Sequence, residues 1–222
     1  MIEVLAQIVL FDGFAPLDVI APFDVLAAGR IFTGGAVEVE LVSAQGPRQV
    51  PSGISPLSLE ATARLDPRRA DVIVVPGAAG KFSGADELDD DNIAVIQART
   101  LSTELPGLLK EAMERPELTM ATVCGGSMVL AAAGLIDGRS ATTHHLGMDA
   151  LAGMGVIAID ARVVDDGDLV TAAGVTSGLD LGIYLLEREL GPRIAHAVEA
   201  LFDYERRGIV WRNTGPEPLI AV

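Results

Sequence analysis

Residues 118 to 135 read Leu-Thr-Met-Ala-Thr-Val-Cys-Gly-Gly-Ser-Met-Val-Leu-Ala-Ala-Ala-Gly-Leu. Leu118 to Val123 is a short apolar, β-branched run that predicts a buried strand, and the alanine-rich Met128 to Ala133 predicts a helix. Cys124, Gly125, Gly126 and Ser127 lie between them. A strand turning sharply into a helix, with a nucleophile at the bend and small residues behind it, is the layout of a nucleophile elbow. Such a bend sets the Cys124 sulfur at the carboxyl end of a central strand, where the field of a helix N-terminus favours the thiolate. The competing reading is a small buried hydrophobe, the common condition of a lone cysteine. The glycine pair favours the elbow, because Gly-Gly inside an apolar run costs helix stability and needs a geometric reason.

Working outward, strands and helices alternate. Val4 to Phe11 is a near-continuous apolar strand ending at Asp12-Gly13, followed by a first crossover helix from Pro16 that ends at Gly29. Asp18 lies near the start of that helix, either as a cap or as a carboxylate at the top of the first strand. Val37 to Ser43 reads as a strand with one more polar face, and residues 46 to 60 as short extended pieces joined by turns. Ala70 to Val75 is a strong strand closed by Pro76-Gly77-Ala78-Ala79-Gly80, at the end of a parallel strand where α/β folds place ligands. The acidic run Asp86 to Asp91 reads as a solvated turn, and residues 92 to 115 as helix interrupted at Pro106.

Beyond the elbow, Leu146 to about Met154 reads as a helix. Arg162 to Thr171 reads as a β-hairpin around Asp166-Gly167. Gly174 to Gly178 then introduces a helix to Leu190, and Pro192 opens a last one to about Arg206. The tail with Trp211 carries little periodicity, and Trp211 reads as a packing or interface residue. The sum is an α/β fold: a doubly wound, mostly parallel sheet sandwiched by helices, flavodoxin-like, with a β-hairpin and a nucleophile elbow. With 222 residues, half of them hydrophobic, residues 1 to 222 are expected to form one domain.

Composition excludes several function classes. The net charge is −15, from 16 basic and 31 acidic residues, with Lys81 and Lys110 as the lysines; such a field repels phosphate backbones and argues against nucleic-acid binding. One cysteine excludes an internal disulfide and agrees with a reducing cytoplasm. With neither a basic leader nor an uncharged run of roughly 18 residues, the chain is expected to be soluble, cytoplasmic and free of membrane contact. Three histidines and one cysteine without ligand spacing argue against a metal site.

Five motifs in order resemble the ThiJ/PfpI superfamily, with the class I glutamine amidotransferase-like fold, and most nearly its isonitrile hydratase branch. They are Leu17-Asp18-Val19 with Ala21 to Leu26, Val75-Pro76-Gly77, Val123 to Ser127 with Ala132 to Leu135, Arg139 to His144, and Ala173 to Asp180. The resemblance runs from Val4 to about Leu190. It implies Cys124 as nucleophile, Asp18 as the acid beside the sulfur, and His144 near the active site, where it reads equally as a structural histidine. It also implies backbone donors at Gly125, Gly77 and Ala78, a substrate pocket touched by His145 and Thr176, no cofactor, a small-molecule substrate and a homodimer. His145 and His196 read from the residues alone as structural.

Three departures bear on the chemistry. Ala78 stands where related loops carry a second glycine; Gly125 follows the cysteine where the hydratase branch often has threonine and the protease-like branch histidine; and His145 stands where hydratases tend to have tryptophan. Missing the histidine after the cysteine, the chain is not expected to be a protease. The expected reaction is hydration of an isonitrile or related small electrophile to an N-substituted formamide through a covalent thioimidate. The alternatives are glyoxalase or deglycase-like chemistry on small dicarbonyls, and a non-catalytic cysteine redox or stress sensor.

Overall fold

Runs such as Val72–Val75 and Thr119–Val123 are buried at every position, so each must lie inside a sheet with both faces covered. A computed structural model describes residues 4–81, 89–216 and 219 of the chain; residues 86–88 of the expected acidic turn lie outside the described residues. In chain order the elements are β1 (Val4–Val9), α1 (Pro16–Thr33), β2 (Val37–Ser43), β3 (Arg48–Pro51), β4 (Ser58–Ala61), β5 (Ala63–Arg64) and β6 (Val72–Val75). Then come α2 (Ile93–Leu101), α3 (Leu105–Met113), β7 (Thr119–Val123), α4 (Gly126–Ala132), β8 (Ser140–Ala141), α5 (Met148–Gly153) and β9 (Ile157–Ala158). The last are β10 (Val163–Asp165), β11 (Leu169–Ala172), α6 (Ser177–Leu190), α7 (Pro192–Phe202) and β12 (Trp211–Arg212).

Eight strands form one sheet in the order β12-β10-β11-β7-β6-β1-β2-β5. Every neighbouring pair is parallel except the hairpin β10/β11. The flavodoxin-like α/β architecture is thus present, with α1 packed on α6 and α7, and α2 and α5 on α4. The strand order decides where chemistry can collect. β7 lies between β6 and β11, and β6 lies beside β1, so the loops after all four parallel strands open at one end of the sheet.

The described chain departs from the sequence reading in three places. First, α1 does not stop at Gly29 but runs to Thr33, with Gly34 as its left-handed cap. Gly29 is interior because a Cβ there would meet Leu186 Cδ2 of α6 at 2.5 Å, so the glycine serves close helix packing rather than termination. Second, α7 ends at Phe202, where Asp203 turns left-handed at φ 48°, short of the expected Arg206. Third, the tail is not wholly irregular: Trp211 and Arg212 add an edge strand parallel to β10.

Candidate active site

The elbow stands as a local conformation before it is a site. Cys124 has φ +56°, in the left-handed region that costs a residue with a Cβ on the order of 1–2 kcal/mol. Its surroundings enforce the bend. The Cys124 N–H is shared between the carbonyls of Ala172 and Ala173, at 3.0 and 2.9 Å, and the Thr143 hydroxyl donates to the Cys124 carbonyl at 2.7 Å. Behind the bend, a Cβ on Gly126 would stand 2.0 Å from the Val75 carbonyl oxygen, so only glycine lets α4 start this close to β6.

The thiol is 9% exposed and forms part of the wall of two cavities. The larger, about 910 Å³, includes Phe11, Pro16, Leu17, Ile54 and Ile96, with Arg48 and Arg99 among its polar groups. The smaller, about 450 Å³, includes Ile93, Met128, Leu146 and Gln97. An electrophile at the sulfur would therefore meet a wall that is apolar over most of its area, with charged groups such as Asp12, Arg48, Lys81 and Arg99 also on the wall of the larger cavity.

Asp18 is fully buried in the first turn of α1 and makes no side-chain cap, because Ala15 holds the cap position. Its Oδ2 accepts the Gly77 N–H at 3.0 Å, while Oδ1 is buried without a hydrogen-bond partner of its own. Burial pushes the carboxyl up to about 7, against the lowering effect of the Gly77 N–H and of the Cys124 thiol beside it. Cys124 is pushed up to about 12, first by burial and then by the charge of Asp18, against the lowering effect of the backbone N–H groups of Val175 and Gly125. A thiol lowered by the helix terminus alone is thus not what the fold builds; α4 is a seven-residue helix, and desolvation outweighs its field. The two groups form one acid–base pair that holds a single proton between about pH 7 and about pH 12.

The other sequence-derived candidates divide. The Gly125 N–H opposes the rise of the Cys124 thiol. Ala78 forms part of the wall of both cavities. The Gly77 N–H is engaged by Asp18, so Gly77 serves the carboxyl and not a substrate oxyanion; a Cβ there would also meet Gly125 N at 2.6 Å. His144 borders both cavities beside Cys124, accepts the Leu146 N–H on Nδ1 at 3.3 Å, and is held below the ordinary histidine range by burial and by His145. His145 is exposed and stacks on His144 with ring centroids 4.3 Å apart, away from the cavity walls. Thr176 is exposed and turns its hydroxyl to Arg162 at 2.9 Å, while its neighbour Val175 borders the larger cavity.

Two participants escape a reading of the sequence. One is the Val175 N–H, and the signal for it is topological: β11 is the parallel neighbour of β7, so its following loop must reach the elbow. The other is Gln97, whose Nε2 donates to the Gly125 carbonyl at 3.3 Å across from α2. Nothing in its local sequence marks it. Among the described residues no group of three His, Cys, Asp or Glu side chains could hold a metal ion, and no helix is long and apolar enough to cross a membrane.

The DJ-1/PfpI family model matches residues 5–188, spanning β1 to α6 and every element that carries this site. The chain belongs to the DJ-1/PfpI family. An isonitrile hydratase of Pseudomonas putida is 34% identical over 134 residues, covering 60% of this chain and 52% of the hydratase. A stretch of 92 residues, 40% of this chain, is 35% identical to 27% of the HTH-type transcriptional regulator CdhR of Pseudomonas aeruginosa. The chain thus aligns with about half or less of the length of these relatives. The crystal structure of a ThiJ/PfpI protein from Pseudomonas syringae superposes with a TM-score of 0.76 at 26% identity, covering 99% of this chain and 78% of that one. Family membership therefore accompanies proteins named for enzymatic and for regulatory roles, and the reaction has to be argued from the Cys124–Asp18 pair.

Proposed function

We propose that the protein hydrates small apolar isonitriles, using Cys124 as nucleophile and Asp18 as the proton carrier. The observation that carries this reading is the pair itself: a buried carboxyl raised to about 7, beside a buried thiol whose rise is opposed by the backbone N–H groups of Val175 and Gly125. With one proton on the pair, the proton rests on sulfur, and reaction passes through the tautomer in which it has moved to Asp18; those N–H groups lower the cost of that transfer. The sulfur attacks the terminal carbon of the isonitrile, forming the S–C bond, while Asp18 delivers its proton to the same carbon. The product is a thioimidate, with carbon doubly bonded to nitrogen. Water then adds to that carbon through its oxygen, one of its two protons going to nitrogen and the other to Asp18. Collapse breaks the C–S bond, releases the N-substituted formamide and returns the thiolate. Water is the second reactant, and the cycle draws on no cofactor.

Three features support the substrate class. The walls at the sulfur are largely apolar, which suits an alkyl or aryl isonitrile. Burial raises the acid to about 7, so a protonated carboxyl is available near neutral pH, as protonation of carbon requires. The 34% identical hydratase carries the same reaction in its name. Incubation with an alkyl or aryl isonitrile is expected to give formamide at a rate lost in Cys124→Ala, with a thioimidate adduct on Cys124 by mass spectrometry. Formamide formation equal in wild type and Cys124→Ala would sink the reading. Cys124-dependent loss of methylglyoxal without isonitrile turnover would replace it by dicarbonyl chemistry. A homodimeric assembly belongs to the same proposal, and sedimentation at the mass of one 23.1 kDa chain would remove that part.

A further inference from the structure

Between α6, α7 and the residues before β12 lies a polar cluster outside the cavities at Cys124. Asp180, 2% exposed, is its centre. Its Oδ2 accepts Arg162 Nε at 2.6 Å and the Tyr204 hydroxyl at 3.0 Å, and its Oδ1 accepts the Arg207 N–H at 2.7 Å. The carboxylate is fully occupied, which is what a buried charge needs, and packing alone would account for that much. Arg162 goes further. Its Nη2 donates to the Thr176 hydroxyl at 2.9 Å, and its carbonyl accepts the Ala173 N–H at 3.0 Å. Arg162 thus grips both ends of the loop 173–176, once by side chain and once by main chain. That loop carries the Ala173 carbonyl that shares the Cys124 N–H, and Val175, which borders the larger cavity with Cys124 and whose N–H opposes the rise of the thiol.

We propose that Arg162 and Asp180 are positioning residues that hold the loop 173–176, and with it Val175, against the Cys124 elbow through Thr176 and Ala173. Neither touches the reacting atoms. Arg162 fixes the loop, Asp180 fixes the guanidinium plane, and residues 204 and 207, beyond the end of α7, close over Asp180. A donor N–H is useful to a forming thiolate only if its direction is fixed in advance, since reorienting it during the reaction would forfeit the stabilisation. The titratable groups facing the sulfur are Asp18 from α1 and His144 from the segment after β8; Arg162 meets neither, so its influence runs through the loop.

The inference builds on Cys124 as the reactive thiol but not on the identity of the substrate, so its readout is alkylation by iodoacetamide across pH. Thr176→Val, at an exposed position, removes the hydroxyl and nearly keeps the shape. It is expected to slow alkylation at pH 7 about threefold and move the inflection of the profile upward by about half a pH unit. Thr176→Ser is expected to restore both. Arg162→Gln is expected to slow alkylation about tenfold, the change that accompanies one pH unit. With whichever electrophile is turned over, kcat should fall while KM stays. Arg206→Gln is the comparison, because Arg206 pairs with Glu187 and Glu199 and does not contact the loop. It should lower Tm with the alkylation profile unchanged. A wild-type profile in Thr176→Val overturns the proposal, as does an equal shift in Arg206→Gln. If isonitriles are not turned over but the alkylation shifts appear, the substrate reading falls and the positioning role stands.

Discussion

Asp18 and Asp180 both sit in the first turns of long helices, both are shielded from solvent, and their carboxyls are treated in opposite ways. Asp180 has a guanidinium, a phenol hydroxyl and a backbone N–H around it. Asp18 has one backbone N–H, an oxygen left over and a thiol for a neighbour, and among the described residues no cation pairs with it. The first arrangement makes an ionised group inert by satisfying it. The second withholds the partners that would keep the group ionised, so burial wins and the carboxyl keeps its proton near pH 7. Position in a helix does not decide between a structural and a chemical aspartate; the partners do.

The contrast breaks first at the chemistry. Asp18→Asn preserves shape and the Gly77 contact but cannot carry the proton, so isonitrile turnover is expected to fall by about 10² to 10⁴. A loss of less than tenfold in kcat at pH 7 would mean another group moves the proton. Asp180→Ala should act instead on stability. It strands the Arg162 guanidinium and two further donors, and removing one side of a buried pair costs about 3–5 kcal/mol. A denaturant midpoint unchanged from wild type would show that the cluster is not held by its charge.

The pH dependence of stability sharpens the same comparison. The folded Asp18 carboxyl, near 7, lies above its unfolded value of 3.8, so the native state keeps a proton that the unfolded chain sheds between those values. This contribution is therefore full below about pH 4 and is lost as pH rises through about 7, a swing on the order of 4 kcal/mol. Asp18→Asn lacks it. Urea unfolding at pH 4 and pH 8 should show the variant gaining on wild type by that order of magnitude, whereas parallel behaviour would place the carboxyl at an ordinary pKa.

How far these residues can be read beforehand follows from how local their determinants are. Cys124 is legible because the elbow is written in consecutive residues, strand then Gly-Gly then helix. The flavodoxin-like sheet is legible for the same reason, since its strands are buried on both faces and stand out as apolar runs. Asp18 is half legible: its place at the end of β1 follows from the strand, but the absence of a cation follows only from the packed fold. The partners of Asp180 lie 18, 24 and 27 residues away, on a strand entry and an irregular tail, where no periodicity announces them. Gly29 misleads because a glycine in a helix pattern reads as an end, whereas here it makes room for Leu186. The resemblance points to Thr176 through the motif around it, yet it is the neighbouring Val175 that borders the cavity, and Thr176 turns to Arg162 instead.

The smallest effect concerns Gly125 and Gly126, two adjacent glycines that differ as the two aspartates do. At Gly126 an added methyl meets backbone, the Val75 carbonyl at 2.0 Å, which cannot yield without moving β6 away from α4. At Gly125 it meets Gln97 Nε2 at 2.9 Å, the free end of a flexible side chain. Gly125→Ala should therefore cost only about 1 kcal/mol, close to the value of the Gln97 hydrogen bond it disturbs. Gly126→Ala should cost more than that and distort the elbow. The useful consequence lies in Gly125→Thr, which restores a side chain where the hydratase branch often has one and pushes Gln97 aside. If Gln97 fills that role here, the variant should keep most of its stability and alter KM for isonitriles of different bulk more than kcat. Unchanged KM values across a bulk series would show that neither residue touches the substrate, and would move the selection of substrate to the larger cavity that Cys124 also borders.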